Sequence, residues 1–270
     1  MFDMKLGSYS KPGGSTTSLI DVKGLTIKRG RNIVVRDASF KIERGDYVGI
    51  VGPNGGGKST LLHAILGSIP FQKGRIRLFG EDVSRFKDWE RVAYVSQDAI
   101  NFDPQFPLTV RELVGLGRVR RGNIGRRLRR DDWKAVDEAL EFMGISKLAG
   151  RRIGQLSGGQ KQRVFVAKAL VRSPDILFLD EPVAGVDADT MERFYKKLSD
   201  LNQEKGITIL IVSHDLTAVF CRMSKAMCVN RDVHAADITP ELDPNDLLKK
   251  AYGEHFHFVY HEHTCEGVFH

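Results

Sequence analysis

Long apolar runs are missing from this 270-residue chain. The longest, such as Ile207-Thr208-Ile209-Leu210-Ile211-Val212, reach about six residues, against the ~20 that a membrane-spanning helix needs. The chain is therefore expected not to cross a bilayer by itself. Its opening stretch, MFDMKLGSYSKPGGSTTS, has no apolar segment of the kind a secretory signal carries. Cysteine is scarce. Cys221, Cys228 and Cys265 form no C-x-x-C pair and cannot all bridge one another, so reduced thiols and a cytosolic setting are expected. The G-x-G-x-x-G spacing of a dinucleotide fingerprint is absent, and there is no internal repeat.

What is present is a folded, water-soluble composition: 41% hydrophobic and 28% charged residues. The length suits one large domain or two small ones, with a core that needs no disulfide or metal. The net charge of +7 suits nucleic acid, an anionic membrane face or a polyanionic small ligand, and equally a solvated surface. Residues 1–17 are rich in Gly, Ser and Lys without periodicity, and are expected to be a mobile tail. From Leu19 short apolar runs bounded by turn residues begin: Tyr47–Val51, Ile76–Phe79, Ile176–Leu179 and Ile207–Val212. Runs apolar on both sides of the pleat point to strands covered on both faces, as in a parallel sheet under helices. Helical patterns at Ser59–Leu66 and Thr190–Asn202 alternate with them, so the fold class is α/β. The stretch from about 98 to 169 has few strand-like runs and two helical patterns, around Val110–Gly117 and Asp131–Met143. It reads as an inserted helical subdomain holding seven clustered arginines: Arg118, Arg120, Arg121, Arg126, Arg127, Arg129 and Arg130. These are either a solvated loop and helix start or a contact for phosphate head groups.

Gly52-Pro53-Asn54-Gly55-Gly56-Gly57-Lys58-Ser59-Thr60 fits G-x-x-x-x-G-K-[ST], after an apolar strand and before a helical pattern. A match to the four fixed positions arises by chance in about 1% of such chains. The glycines let the backbone wrap closely with its N–H groups turned inward, and the helix N-terminus adds its positive end. Lys58 is placed for the β- and γ-phosphates and the Ser59 hydroxyl for Mg²⁺. Further on, Ile176-Leu177-Phe178-Leu179 ends in Asp180 and Glu181. Beside a phosphate cradle, Asp180 suits Mg²⁺ and Glu181 suits a general base that polarises the attacking water.

Leu156-Ser157-Gly158-Gly159-Gln160 is about a one-in-two-thousand event in a chain of this size. A Ser hydroxyl, two glycines and a helix start again suit phosphate, and one site does not obviously need two such elements. With these motifs in view, the chain resembles the nucleotide-binding ATPase subunit of ABC transporters from about Leu19 to Val229. The resemblance rests on 52–60, on Gln97 after Tyr94-Val95-Ser96, on 156–160 and on 176–181. It also includes Ala184-Gly185-Val186-Asp187 and His214 in Val212-Ser213-His214-Asp215.

The resemblance implies a P-loop ABC-type domain over residues 18–250, with a RecA-like α/β core, an antiparallel β subdomain and the helical insertion. It implies ATP and Mg²⁺ as ligands. It also implies an ATP-dependent head-to-tail homodimer in which ATP lies between the cradle of one copy and Ser157-Gly158-Gly159-Gln160 of the other. Gln97 would touch Mg²⁺ or the attacking water and couple the site to membrane permease subunits. Asp187 would communicate across the dimer, and His214 would touch the γ-phosphate. Where the family places an aromatic ring on adenine, this chain has Arg29, whose guanidinium plane can also stack on a base. The implied location is peripheral, on the cytoplasmic face of the cell membrane.

Residues 251–270 form a His-rich tail. His255, His257, His261, His263 and His270 fall there, and His261, His263 and Cys265 offer a zinc ligand set, or a flexible end with incidental affinity. The tail and Phe106-Pro107-Leu108-Thr109-Val110 are similar to ATPase subunits of zinc, manganese and iron uptake systems, which implies import of a divalent metal with an extracytoplasmic solute-binding protein acting indirectly. Siderophore, haem or amino acid remain as other cargoes. A non-transport ABC ATPase acting on nucleic acid or the ribosome is disfavoured, because there is no long coiled coil and each motif occurs once.

Overall fold

Alternating apolar positions build the first two strands. In β1 (Ser18–Arg29) and β2 (Asn32–Glu43), Ile20, Val22, Leu25, Ile27, Val35 and Ile42 are buried while most of their neighbours are exposed or half-buried. The computed structural model describes residues 18–101, 105–120, 122, 124–182 and 187–256. The chain divides into two compact units, one uniting Met1–Lys87 with Leu198–His270 and the other formed by Asp88–Lys197.

In the first unit, β1 pairs antiparallel with β2 and with β4 (Lys73–Leu78), and β5 (Glu81–Asp82) adds an edge, giving the order β2-β1-β4-β5. This corrects one sequence expectation. The run at Ile76–Phe79 does not join a parallel sheet. Ile76 and Leu78 face Val22 and Ile20 across an antiparallel ladder while Arg77 points away, so the segment is covered on one side only. Short length and the bulky Phe79 disguise that alternation.

The second sheet of this unit does have strands buried on both faces. Every residue of β3 (Tyr47–Val51) and β8 (Thr208–Val212) is buried. β3 lies parallel to β8 on one side and to β9 (Lys225–Asn230) on the other, and β10 (Asp232–Asp237) runs back antiparallel to β9. The strand starts are tied by polar groups. The buried Asp46 carboxylate accepts the Glu43 N–H at 2.8 Å and lies 3.4 Å from Lys225 Nζ. Asn202 donates to the carbonyls of Gly45 (3.0 Å) and Ile207 (2.8 Å). Helices α1 (Lys58–Ile65), α6 (Leu216–Arg222) and α7 (Pro244–Tyr252) belong here too.

In the second unit, β6 (Val92–Val95) and β7 (Ile176–Asp180) pair in parallel, Val92 opposite Ile176 and Val95 opposite Leu179. Three helices pack through Val110, Leu113, Val114, Val136, Leu140 and Val164: α2 (Val110–Gly115), α3 (Arg130–Phe142) and α4 (Gly158–Leu170). A capping box starts α2, with Thr109 and Glu112 exchanging side chain-to-backbone bonds. Helix α5 (Ala188–Lys205) begins in this unit. No helix among the described residues is long and apolar enough to cross a membrane.

Candidate functional site

Two neighbouring strands shape the cradle. A Cβ at Gly52 would lie 2.0 Å from the carbonyl oxygen of Val229, and one at Gly57 would lie 2.7 Å from that of Val34. Both glycines also adopt positive φ, +147° and +107°, where a side chain is strained. β9 and β2 thus press on the loop from two directions, and only glycine admits that approach. The Arg231 N–H donates to the Gly56 carbonyl at 2.9 Å and closes the far side. Asn54 and Gly55 stand exposed at the tip, with Pro53 partly covered.

Lys58 opens α1 with its side chain inside this loop. It is 5% exposed, and its ammonium donates to the carbonyls of Gly52 (2.8 Å) and Pro53 (3.1 Å). A buried ammonium facing backbone amides at a helix N-terminus makes a strong anion receptor. Ser59 and Thr60 follow on the first turn. The in-register pairing of β3 with β8, Ile50 opposite Val212, brings both strands to an end at one sheet edge. The cradle leaves that edge, and so does His214, two residues past β8. His214 is exposed and not a core histidine. Ser213 N–H donates to the Ile50 carbonyl at 3.1 Å, and Asp215 caps α6, so the backbone around His214 is held from both sides. Arg29 is exposed at the end of β1, opposite Asn32 in the hairpin.

Tyr252 is a contact that sequence reasoning missed. It closes α7 with its hydroxyl near the backbone N–H of Gly52, the first cradle residue, an influence that favours the phenolate; burial outweighs it and pushes the phenol above the usual tyrosine value. Asn230 at the end of β9 donates to the Ala251 carbonyl at 2.7 Å and Phe256 stacks on the Tyr252 ring, which fixes the helix end beside the loop. No motif announces a tyrosine 200 residues from its partner. Tyr252→Phe removes this oxygen from beside the Gly52 N–H. Steady-state ATPase assays are expected to show KM for ATP raised ~2–10-fold, the scale of a single hydrogen bond, with kcat unchanged. An unchanged KM would mean that the hydroxyl does not position the cradle.

In the second unit, Asp180 ends β7 at 4% exposure and accepts a 3.4 Å bond from the Tyr94 hydroxyl. Burial, and then the Asp180 charge, push the Tyr94 phenol to about 12, so it remains a donor at neutral pH. Glu181 has φ of +46°, a left-handed backbone that non-glycine residues rarely hold. Gln97 starts the turn after β6, and the β6–β7 pairing brings it beside Glu181, where its amide donates to Oε2 at 3.1 Å. Two residues 84 apart in sequence are thereby joined.

Ser157 caps α4. Its hydroxyl accepts the Gln160 N–H at 3.4 Å, and Gln160 Oε1 accepts the Ser157 N–H at 3.1 Å. Ser157 and Gly158 are exposed while Gly159 is buried, so the helix N-terminus faces outward. Asp187 caps the first turn of α5 by accepting the Thr190 N–H at 2.9 Å, a bond that lowers its pKa. A groove of about 490 Å³ is lined by Tyr94, Ser96, Ala99, Leu116, Phe165 and Lys168.

The tail at 1–17, Arg121, Ala184-Gly185-Val186 and the zinc set of His261, His263 and Cys265 lie outside the described residues. Among the described residues no group of three or more His, Cys, Asp or Glu side chains is arranged to hold a metal ion. Cys228 is buried and its thiol is pushed to about 12 by burial, so it is not a ready nucleophile.

The ABC transporter family profile matches residues 35–184. The zinc uptake system ATP-binding protein ZurA of Listeria innocua serovar 6a is 40% identical over 215 residues, 80% of this chain and 84% of that protein. The manganese transport system ATP-binding protein MntB of Bacillus subtilis strain 168 is 36% identical over 249 residues, 92% and 98% of the two chains. A dimeric ATP-binding cassette solved in a post-hydrolysis state with ADP and Pi aligns at a TM-score of 0.67 and 27% identity, over 82% of this chain and 99% of that one.

Proposed function

This chain belongs to the ABC transporter family, and on that premise we propose that its ATP hydrolysis drives import of a divalent metal ion through separate permease subunits. It is an ATPase with the α/β fold of a P-loop ABC domain. One observation carries the nucleotide chemistry: a buried ammonium, Lys58, inside a glycine loop at a helix N-terminus. The loop amides and Lys58 would hold the β- and γ-phosphates. His214, at the same sheet edge, would contact the γ-phosphate, and Arg29 would lie against the base. The oxygen donors Ser59, Asp180 and Gln97 suit Mg²⁺, a hard cation that keeps several waters. Mg²⁺ held by these residues would neutralise charge on the phosphate oxygens. Glu181 would accept a proton from the attacking water, with Gln97 fixing its carboxylate.

ATP would be completed by a second copy, whose exposed Ser157 and α4 N-terminus approach the γ-phosphate, with Asp187 near the junction. ATP then favours the closed pair, and phosphate release removes the bridge. Gln97 directly follows Ser96, which lines the Tyr94–Phe165 groove, and this supports a permease segment docking there and sensing the site. Metal cargo is supported by the zinc and manganese uptake subunits that the chain matches over most of its length. A solute-binding protein would deliver the ion from outside, and the chain would work at the cytoplasmic face of the membrane.

The test is cellular. Removing the chain is expected to lower zinc or manganese accumulation, with restoration by the wild type and not by Lys58→Ala. Normal metal content together with failure to take up a siderophore, haem or an amino acid would transfer the cargo to that class.

A further inference from the structure

The arginine-rich loop of the second unit is built, not loose. At its base Arg118 donates to the Val171 carbonyl at 2.8 Å, and Arg172 donates back to the carbonyls of Gly117 and Val119. Arg118 is also paired with Asp132 at 2.8 Å, both side chains largely covered, and Arg120 meets Glu90 at 3.1 Å. Above this anchored base the chain turns through Gly122 and Ile124 and returns to α3. A cavity of about 300 Å³ opens there, lined by Arg118, Arg120, Arg126, Arg127 and Arg129, with Asp132 as its single acid. Arg126 and Arg127 are exposed and meet no carboxylate among the described residues. Guanidinium groups gathered around one concavity repel each other, and phosphate oxygens are the partners that relieve this with paired, charge-assisted bonds.

A second observation separates a lipid phosphate from a dissolved one. Ile124 sits in the same loop at 69% exposure, whereas the other exposed large apolar residues among the described residues reach at most 46%. Water is a poor neighbour for that side chain, and a head-group layer is a better one. We propose that this loop docks on an anionic bilayer surface, the arginine cavity taking a phospholipid phosphate and Ile124 entering the head-group layer. The placement at a membrane rests on the transporter reading; the loop's chemistry stands apart from it.

Sedimentation of the full chain with vesicles tests this. Vesicles of phosphatidylcholine mixed with phosphatidylglycerol are expected to bind at least ~10-fold more tightly than phosphatidylcholine alone, with an advantage that shrinks as salt rises. Arg126→Ala with Arg127→Ala is expected to cost about 30-fold, and Ile124→Ser several-fold. Both variants should keep wild-type ATPase activity in solution and wild-type melting temperature, because all three residues are exposed. Equal binding to both vesicle types, or unchanged binding by the double variant, overturns the proposal. So does tripolyphosphate binding that depends on the arginines while Ile124→Ser sediments like the wild type; that result assigns the cavity to soluble phosphate. Absent vesicle binding with intact hydrolysis refutes only this inference, and absent hydrolysis with intact vesicle binding refutes only the ATPase reading.

Discussion

Glu181→Gln is expected to bind ATP as the wild type does and to hydrolyse it at least ~10²-fold more slowly, the usual scale of a general base. The substitution keeps the shape and the Gln97 neighbour while deleting the group proposed to take the proton. Two features make this carboxylate a better candidate than Asp180. Asp180 is almost fully buried and already accepts the Tyr94 hydroxyl, which suits a fixed anion opposite a cation. Glu181 is partly exposed, is aimed by Gln97, and sits on backbone at φ +46°, a costly conformation that proteins retain where a side chain must be directed. Nucleotide binding by fluorescence titration and single-turnover hydrolysis separate the two steps. Turnover near the wild-type rate would remove Glu181 from the role.

The sequence carried the chemistry further than the packing. The cradle, the acidic strand end and the Ser157 element are each short and local, and each sits on the strand or helix that its flanking residues predict. The doubly buried strands at 47–51, 176–180 and 208–212 could be read because an all-apolar run has few other uses. What stayed hidden depends on pairing across long separations. The β4 segment needed β1 as its partner before its alternation became visible. The Gln97–Glu181 bond comes from the register of β6 on β7. The Tyr252 contact comes from α7 ending beside Gly52. The left-handed φ at Glu181 has no signature at all, since glutamate is among the residues least expected there. The arginine run shows the converse case. Its composition was plain, but only the reciprocal anchoring of Arg118 and Arg172 shows that it encloses a cavity.

The two elements proposed to hold phosphate give the second large expected effect. Lys58→Ala and Ser157→Arg should each lower hydrolysis by at least ~10²-fold, one by removing charge from the cradle and the other by blocking an exposed helix N-terminus. Mixed in equal amounts, they should recover activity that neither has. A head-to-tail pair containing one chain of each kind has one site carrying both lesions and one carrying neither. Random pairing makes half of the dimers mixed, so recovery to about a quarter of the wild-type rate is expected from independent sites. If instead each chain held a complete site of its own, every site in the mixture would carry a lesion, and activity would stay at the sum of the two variants. ATPase titration of one variant into the other therefore distinguishes a shared site from a private one. It does so without trapped nucleotide, because Ser157 is exposed and Lys58 opens α1, so both lesions lie outside β3, β7 and β8.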